Sequence, residues 1–104
     1  MSGFETIFNN ELKMQIAIDT IGPIIVYLNS DPLLTYQSGT IINNSSCSFF
    51  TNHVALAVGY GTDAVTKTDY YIVKNSWGSG WGENGYFRIA RGVNMCGIGI
   101  KGIL

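Results

Sequence analysis

Two stretches decide the reading of this chain. The first is Asn52-His53-Val54-Ala55-Leu56-Ala57-Val58-Gly59-Tyr60-Gly61. The second, whose asparagine lies 22 residues beyond that histidine, is Lys74-Asn75-Ser76-Trp77-Gly78-Ser79-Gly80-Trp81-Gly82-Glu83-Asn84-Gly85-Tyr86. His53 to Tyr60 is a valine-bearing apolar run that reads as a strand. Tyr70 to Asn75 and Tyr86 to Arg91 read the same way. A polar hairpin loop, Gly61 to Asp69, and a glycine-rich turn, Gly78 to Gly85, join the three strands. Strands in sequence joined by short connections pair antiparallel.

Outward from that meander, Asn9 or Asn10 can cap a helix, with Glu11 in its first turn beside the positive dipole end. Leu12, Ile16 and Ala17 recur at helical spacing, as do Met14, Ile18 and Ile21, until Gly22-Pro23 stops the helix. Ile24 to Leu28 reads as a strand, Asn29 to Pro32 as a turn, Leu33 to Tyr36 as a single helical turn and Gly39 to Ile42 as a short strand. Asn43 to Asn52 is a polar loop, and a last strand falls near Ile98 to Leu104. One helix and about six short strands predict an α+β domain, an antiparallel sheet curling into a partial barrel. No repeat or linker divides the chain, so residues 1–104 read as one domain.

Composition narrows the function. Apolar residues make up 46% of the 104 and charged residues 12%, about half the usual share of roughly 25%. That excludes disorder and predicts apolar surface that meets something other than water. Six basic and seven acidic residues provide no field for nucleic acid. No apolar run is long enough for a transmembrane span. The start, Met1-Ser2-Gly3-Phe4-Glu5, lacks the basic flank and apolar stretch of a signal peptide.

His53 is the single histidine. A thiol or hydroxyl nucleophile needs a neighbouring base, and the base needs its ring held in one tautomer. An asparagine oxygen can accept the second ring N–H without adding charge, which suits a thiolate–imidazolium pair. Adjacent strands could bring His53 and Asn75 together, and Trp77 could cover the bond and exclude water. Taken singly, a lone histidine at a strand start is most often a structural residue, and an asparagine before a glycine-rich turn a turn residue.

Together the two runs resemble the papain/cathepsin-like cysteine peptidases, where similar His-x-x-x-x-Val-Gly-Tyr-Gly and Lys-Asn-Ser-Trp-Gly-x-x-Trp-Gly-Glu-x-Gly-Tyr segments carry the catalytic histidine and asparagine. Glu11 to Val26, with Gly22-Pro23, and Arg88 to Ile98 extend the likeness, while Asn52 stands where many members have Asp. The resemblance implies the fold of the family's C-terminal domain, with His53 as base, Asn75 as its orienter and Trp77 as shield. It implies no cofactor and no metal.

Neither cysteine has the Cys-Gly-Ser/Ala-Cys-Trp context of the family's nucleophile. The likeness is therefore to the half that lacks it, and these residues alone are expected to hydrolyse no peptide bond. Cysteines at the places of Cys47 and Cys96 form a disulfide in the family, closing a loop of about 50 residues worth on the order of 4 kcal/mol; two separate thiols are the alternative. The disulfide would fit a lysosomal, vacuolar or secretory setting. Asn43-Asn44-Ser45-Ser46 holds two overlapping N-glycosylation sequons, at Asn43 and Asn44.

Substrate in the family lies in a cleft between two domains. The resemblance places Tyr27, Val54 and Lys101 on its wall, Tyr27 narrowing a pocket and Lys101 favouring a polar or acidic group; a core tyrosine and a solvated lysine are the alternative. The expected partners are a Cys-bearing N-terminal half, or another chain, over the apolar face, and a peptide or protein substrate. The competing functions are a non-catalytic structural or binding subunit derived from such a protease, and an inhibitor-like partner. Intact His53, Asn75 and Trp77 favour the enzyme.

Overall fold

The computed structural model describes residues 5–104; of the Met1–Glu5 start read above for a signal peptide, residues 1–4 lie outside them. The chain runs β1 (Thr6–Phe8), α1 (Glu11–Thr20), β2 (Ile24–Leu28), a 3-10 turn (Asp31–Thr35), β3 (His53–Thr62), β4 (Asp69–Lys74), β5 (Tyr86–Ala90), a second 3-10 turn (Met95–Gly97) and β6 (Lys101–Ile103). The six strands form one antiparallel sheet in the order β1-β6-β2-β3-β4-β5, open between its β1 and β5 edges.

Asn10 caps α1, its side-chain oxygen accepting from the Lys13 N–H at 3.0 Å, a contact worth about 1 kcal/mol. The helix buries Met14, Ala17 and Ile18 against the inner face of the sheet, where Ile24, Val26, Ala57, Val73, Phe87 and Ile89 complete the core. Leu12, Ile16 and Ile21 face outward at 52–67% exposure, so α1 carries a second, uncovered apolar stripe. No helix among the described residues is long and apolar enough to cross a membrane.

Three readings change. The predicted strand Gly39 to Ile42 contracts to one bridge, Ile42 against Ile89, because only Ile42 of that segment is buried. β1 is an additional strand. The last strand is only Lys101–Ile103, because positive φ at Asn94, Cys96 and Gly97 folds the preceding segment into a tight turn. The expected disulfide joins Cys47 to Cys96, tying the loop ahead of β3 to that turn.

Glu11 does more than favour a helix start. One of its oxygens accepts from the Tyr71 hydroxyl (2.8 Å) and the Gly92 N–H (2.8 Å), the other from the Asn94 N–H (2.6 Å). One carboxylate thus joins the helix to β4 and to the turn after β5. Burial first, and the Glu11 charge second, push the Tyr71 hydroxyl above its ordinary range, so it remains the donor.

Candidate active site

β3 opens at His53 because the chain just before it is held from both sides. The Asn52 N–H donates to the Leu28 carbonyl at 3.1 Å, and the Asn52 side-chain oxygen accepts from the Ser30 N–H at 2.9 Å. Buried Asn29 adds a bond from its amide nitrogen to the Phe50 carbonyl at 2.8 Å, while its own oxygen accepts from the Asp31 N–H. Sequence reasoning treated Asn29 only as a turn residue; a buried amide is recognisable only once its neighbours are known.

Asn75 follows β4 and is 6% exposed. Its Oδ1 lies 2.8 Å from His53 Nε2 and accepts from the Ser76 backbone N–H, also at 2.8 Å. The second bond settles the chemistry of the first. A backbone N–H only donates, so the atom facing it is the amide oxygen, and the atom facing Nε2 can only accept. His53 therefore carries its neutral-state proton on Nε2, which leaves the Nδ1 lone pair free to accept a proton. Among the described residues the buried Asn75 Nδ2 has no hydrogen-bond partner, and the amide is held there through its oxygen.

Trp77 lies beside the imidazole, with ring centroids 5.4 Å apart and planes tilted by 56°. Trp81 meets Trp77 edge-on at 5.3 Å and continues into Tyr36 and Phe87, so an aromatic file runs from His53 to the core. The Trp81 indole N–H donates to the Leu33 carbonyl at 3.1 Å.

The turn carrying both tryptophans closes on glycine. Gly82 and Gly85 have φ of +60° and +92°, and a Cβ at Gly82 would lie 2.6 Å from the Tyr86 carbonyl. Glu83 is its anchor, accepting two bonds from the Arg88 guanidinium (3.1 Å each), one from Tyr36 (3.0 Å) and one from the Gly39 N–H (2.8 Å). Partial burial opposes ionisation of Glu83, but these donors outweigh it and hold the carboxyl below its ordinary range. Burial likewise pushes the Tyr36 hydroxyl up. Glu83 stood inside the decisive stretch; its partners at positions 36, 39 and 88 did not.

Tyr27 opposes Val54 across β2 and β3, and β6 brings Lys101 alongside, its Nζ 5.2 Å from the centre of the Tyr27 ring. The three residues form one row on the outer face of the sheet, and Val54, which follows His53 in sequence, is 51% exposed. Cys47 and Cys96 are bonded to each other, and Asn43 and Asn44 are exposed on the loop before them.

Comparison with known proteins matches this geometry to one family. The sequence profile described as papain family cysteine protease matches residues 1–103. A cathepsin L-like proteinase of Fasciola hepatica is 45% identical over 103 residues, covering 94% of this chain and 30% of that protein. A viral cathepsin of Spodoptera litura multicapsid nucleopolyhedrovirus is 47% identical over 91 residues, covering 86% and 25%. Among solved structures, digestive procathepsin L 3 of Tenebrio molitor larval midgut superposes with a TM-score of 0.88 at 38% identity, covering 99% of this chain and 34% of that one. The bromelain protease of Ananas comosus, in complex with the E64 inhibitor, gives 0.87 at 37% identity, covering 99% and 49%. The chain thus spans about a third or less of the curated relatives it matches. On its sequence and its fold alike, the chain belongs to the papain family of cysteine proteases.

Proposed function

We propose that this chain is the C-terminal domain of a papain-like cysteine endopeptidase, supplying His53 as general base and Asn75 as its orienter. The observation that carries the reading is the double acceptance at Asn75 Oδ1, which commits His53 Nε2 and leaves Nδ1 for a nucleophile. A thiol docked within hydrogen-bond reach of Nδ1 would pass its proton to the ring, and the resulting thiolate would attack the scissile carbonyl. The carbonyl carbon gains the sulfur bond, and the ring returns its proton to the leaving amine as the acyl-enzyme forms. Water then repeats the cycle with His53 again as base. Trp77 limits water at the Nε2–Oδ1 bond throughout.

Both cysteines of these 104 residues are bonded to each other, so neither serves as that thiol. The nucleophile and the oxyanion donors come, on this reading, from a Cys-bearing half that docks against the outer face near exposed Ile25 and leaves the row of Tyr27, Val54 and Lys101 open as a cleft wall. Peptide substrate would then lie along Tyr27, Val54 and Lys101, with the lysine drawing a polar or acidic side chain. A lysosomal, vacuolar or secreted setting suits the disulfide.

The test is complementation. Incubated alone with a fluorogenic peptide, the chain should show no turnover; joined to a Cys-bearing papain-family N-terminal half, it should gain turnover that His53→Ala abolishes. Turnover by the chain alone, or a properly joined pair that stays inert, would overturn the proposal.

A further inference from the structure

The two overlapping sequons are chemically equivalent on paper, but the fold treats them differently. Asn44 opens a β-turn, its carbonyl accepting from the Cys47 N–H at 2.9 Å, and Asn is favoured at the first position of such turns. Its side-chain Oδ1 accepts from the Ser46 N–H at 3.0 Å and from the Ser46 hydroxyl at 2.7 Å. The hydroxyl that defines the sequon is thus in contact with the amide it serves, while Nδ2, on an exposed residue, has no partner among the described residues. No such bond joins Asn43 to Ser45 among the described residues. Asn43 instead follows Ile42, whose N–H and carbonyl are both tied to β5, at 2.9 Å to Arg88 and 2.8 Å to Ala90.

We infer that Asn44, and not Asn43, is the glycan acceptor of this chain. The donor is a lipid-diphosphate-linked oligosaccharide presented by an oligosaccharyltransferase. Asn44 Nδ2 bonds to the anomeric carbon, the anomeric C–O bond breaks, the lipid diphosphate departs with the electron pair, and Nδ2 gives up one proton to the transferase. Two donors on Oδ1 stabilise the charge that collects there as that proton leaves. All the contacts lie within residues 44–47, so the turn needs none of the distant fold and can form in the emerging chain. Once folded, the sugar would stand beside the disulfide, over a hollow lined by Phe49, Val93 and Met95. Phe49 and Val93 are each 59% exposed, apolar surface that the first sugar would cover.

The inference is independent of proteolysis. The chain, placed behind a cleavable signal sequence, is translated with microsomes and read as a gel shift reversed by peptide N-glycosidase, which requires no folded yield. One shift is expected, lost in Asn44→Gln and in Ser46→Ala and retained in Asn43→Gln and in Ser45→Ala. Glycosidase cleavage in heavy-oxygen water should then place the label at position 44. Loss in Asn43→Gln or Ser45→Ala, retention in both Asn44→Gln and Ser46→Ala, or no shift at all would overturn the inference.

Discussion

Replacing Cys47 with Ser and Cys96 with Ala together removes a cross-link between residues 49 apart in sequence. Closing a loop of that length lowers the entropy of the unfolded chain enough to be worth about 4 kcal/mol at 25 °C. Against the roughly 5–15 kcal/mol that holds a domain folded, that is a large share. For a domain of about 100 residues it corresponds to a fall in melting temperature of about 15 °C or more. Cys96 is fully buried, and alanine avoids placing a hydroxyl there. The assay is urea unfolding followed by tryptophan fluorescence, comparing the variant with the non-reduced wild type. Because the effect acts on the unfolded chain, which expands once released, the denaturant slope should rise as the midpoint falls. The loop should nonetheless keep its course into β3, since Asn29 and Asn52 hold it independently of the cystine. A loss below about 1 kcal/mol with an unchanged slope would refute the reasoning.

Glu11→Gln retains the shape but leaves one oxygen to serve three donors, turning an amide N–H toward the Asn94 N–H or toward Tyr71 and Gly92. The expected loss is about 2–3 kcal/mol in the same unfolding assay, since bonds to a charged acceptor are worth about 1.5–3 kcal/mol each. A neutral result would remove Glu11 from the account of the fold. The carboxyl of Glu83 is held below its ordinary value of 4.5, so its contribution is complete above that value and fades as pH falls through the lower folded value. Melting temperatures of wild type and Glu83→Gln should therefore differ at neutral pH and converge in acid; a constant gap would show that the ion pair and its partners contribute nothing through ionisation. In the complemented enzyme, Trp77→Ala should lower kcat more than KM, because it exposes the His53–Asn75 bond to water without touching Tyr27, Val54 or Lys101; a change in KM alone would place Trp77 in substrate binding instead.

The meander from His53 to Ala90 was legible in sequence because its strands are rich in β-branched and aromatic residues and are separated by unmistakable turns. The helix was equally plain from Asn10 and Gly22-Pro23. β1 was not legible, since only Ile7 of its three residues is buried and its existence depends on pairing with β6 at the far end of the chain. Ile41-Ile42 has the composition of a strand, yet a single parallel bridge is all the sheet edge offers it. In the site, the motifs pointed to His53, Asn75 and Trp77, and their contacts are local to two neighbouring strand ends. Apart from the Asn29–Asp31 turn bond, the supports at Asn29, Glu11 and Glu83 depend on partners from 5 to 83 residues away, and no spacing rule predicts such pairings.

The most direct test of the central claim is the state of the His53 ring, made simple because the chain holds one histidine. Nitrogen-15 NMR of the imidazole at neutral pH should show a proton on Nε2, protected from exchange with solvent by its bond to Asn75 Oδ1 and its cover by Trp77. That protected signal should vanish in Asn75→Ala. A protected proton on Nδ1, or an Nε2 proton that exchanges as fast in wild type as in Asn75→Ala, would contradict the claim that Asn75 sets His53 up as a base.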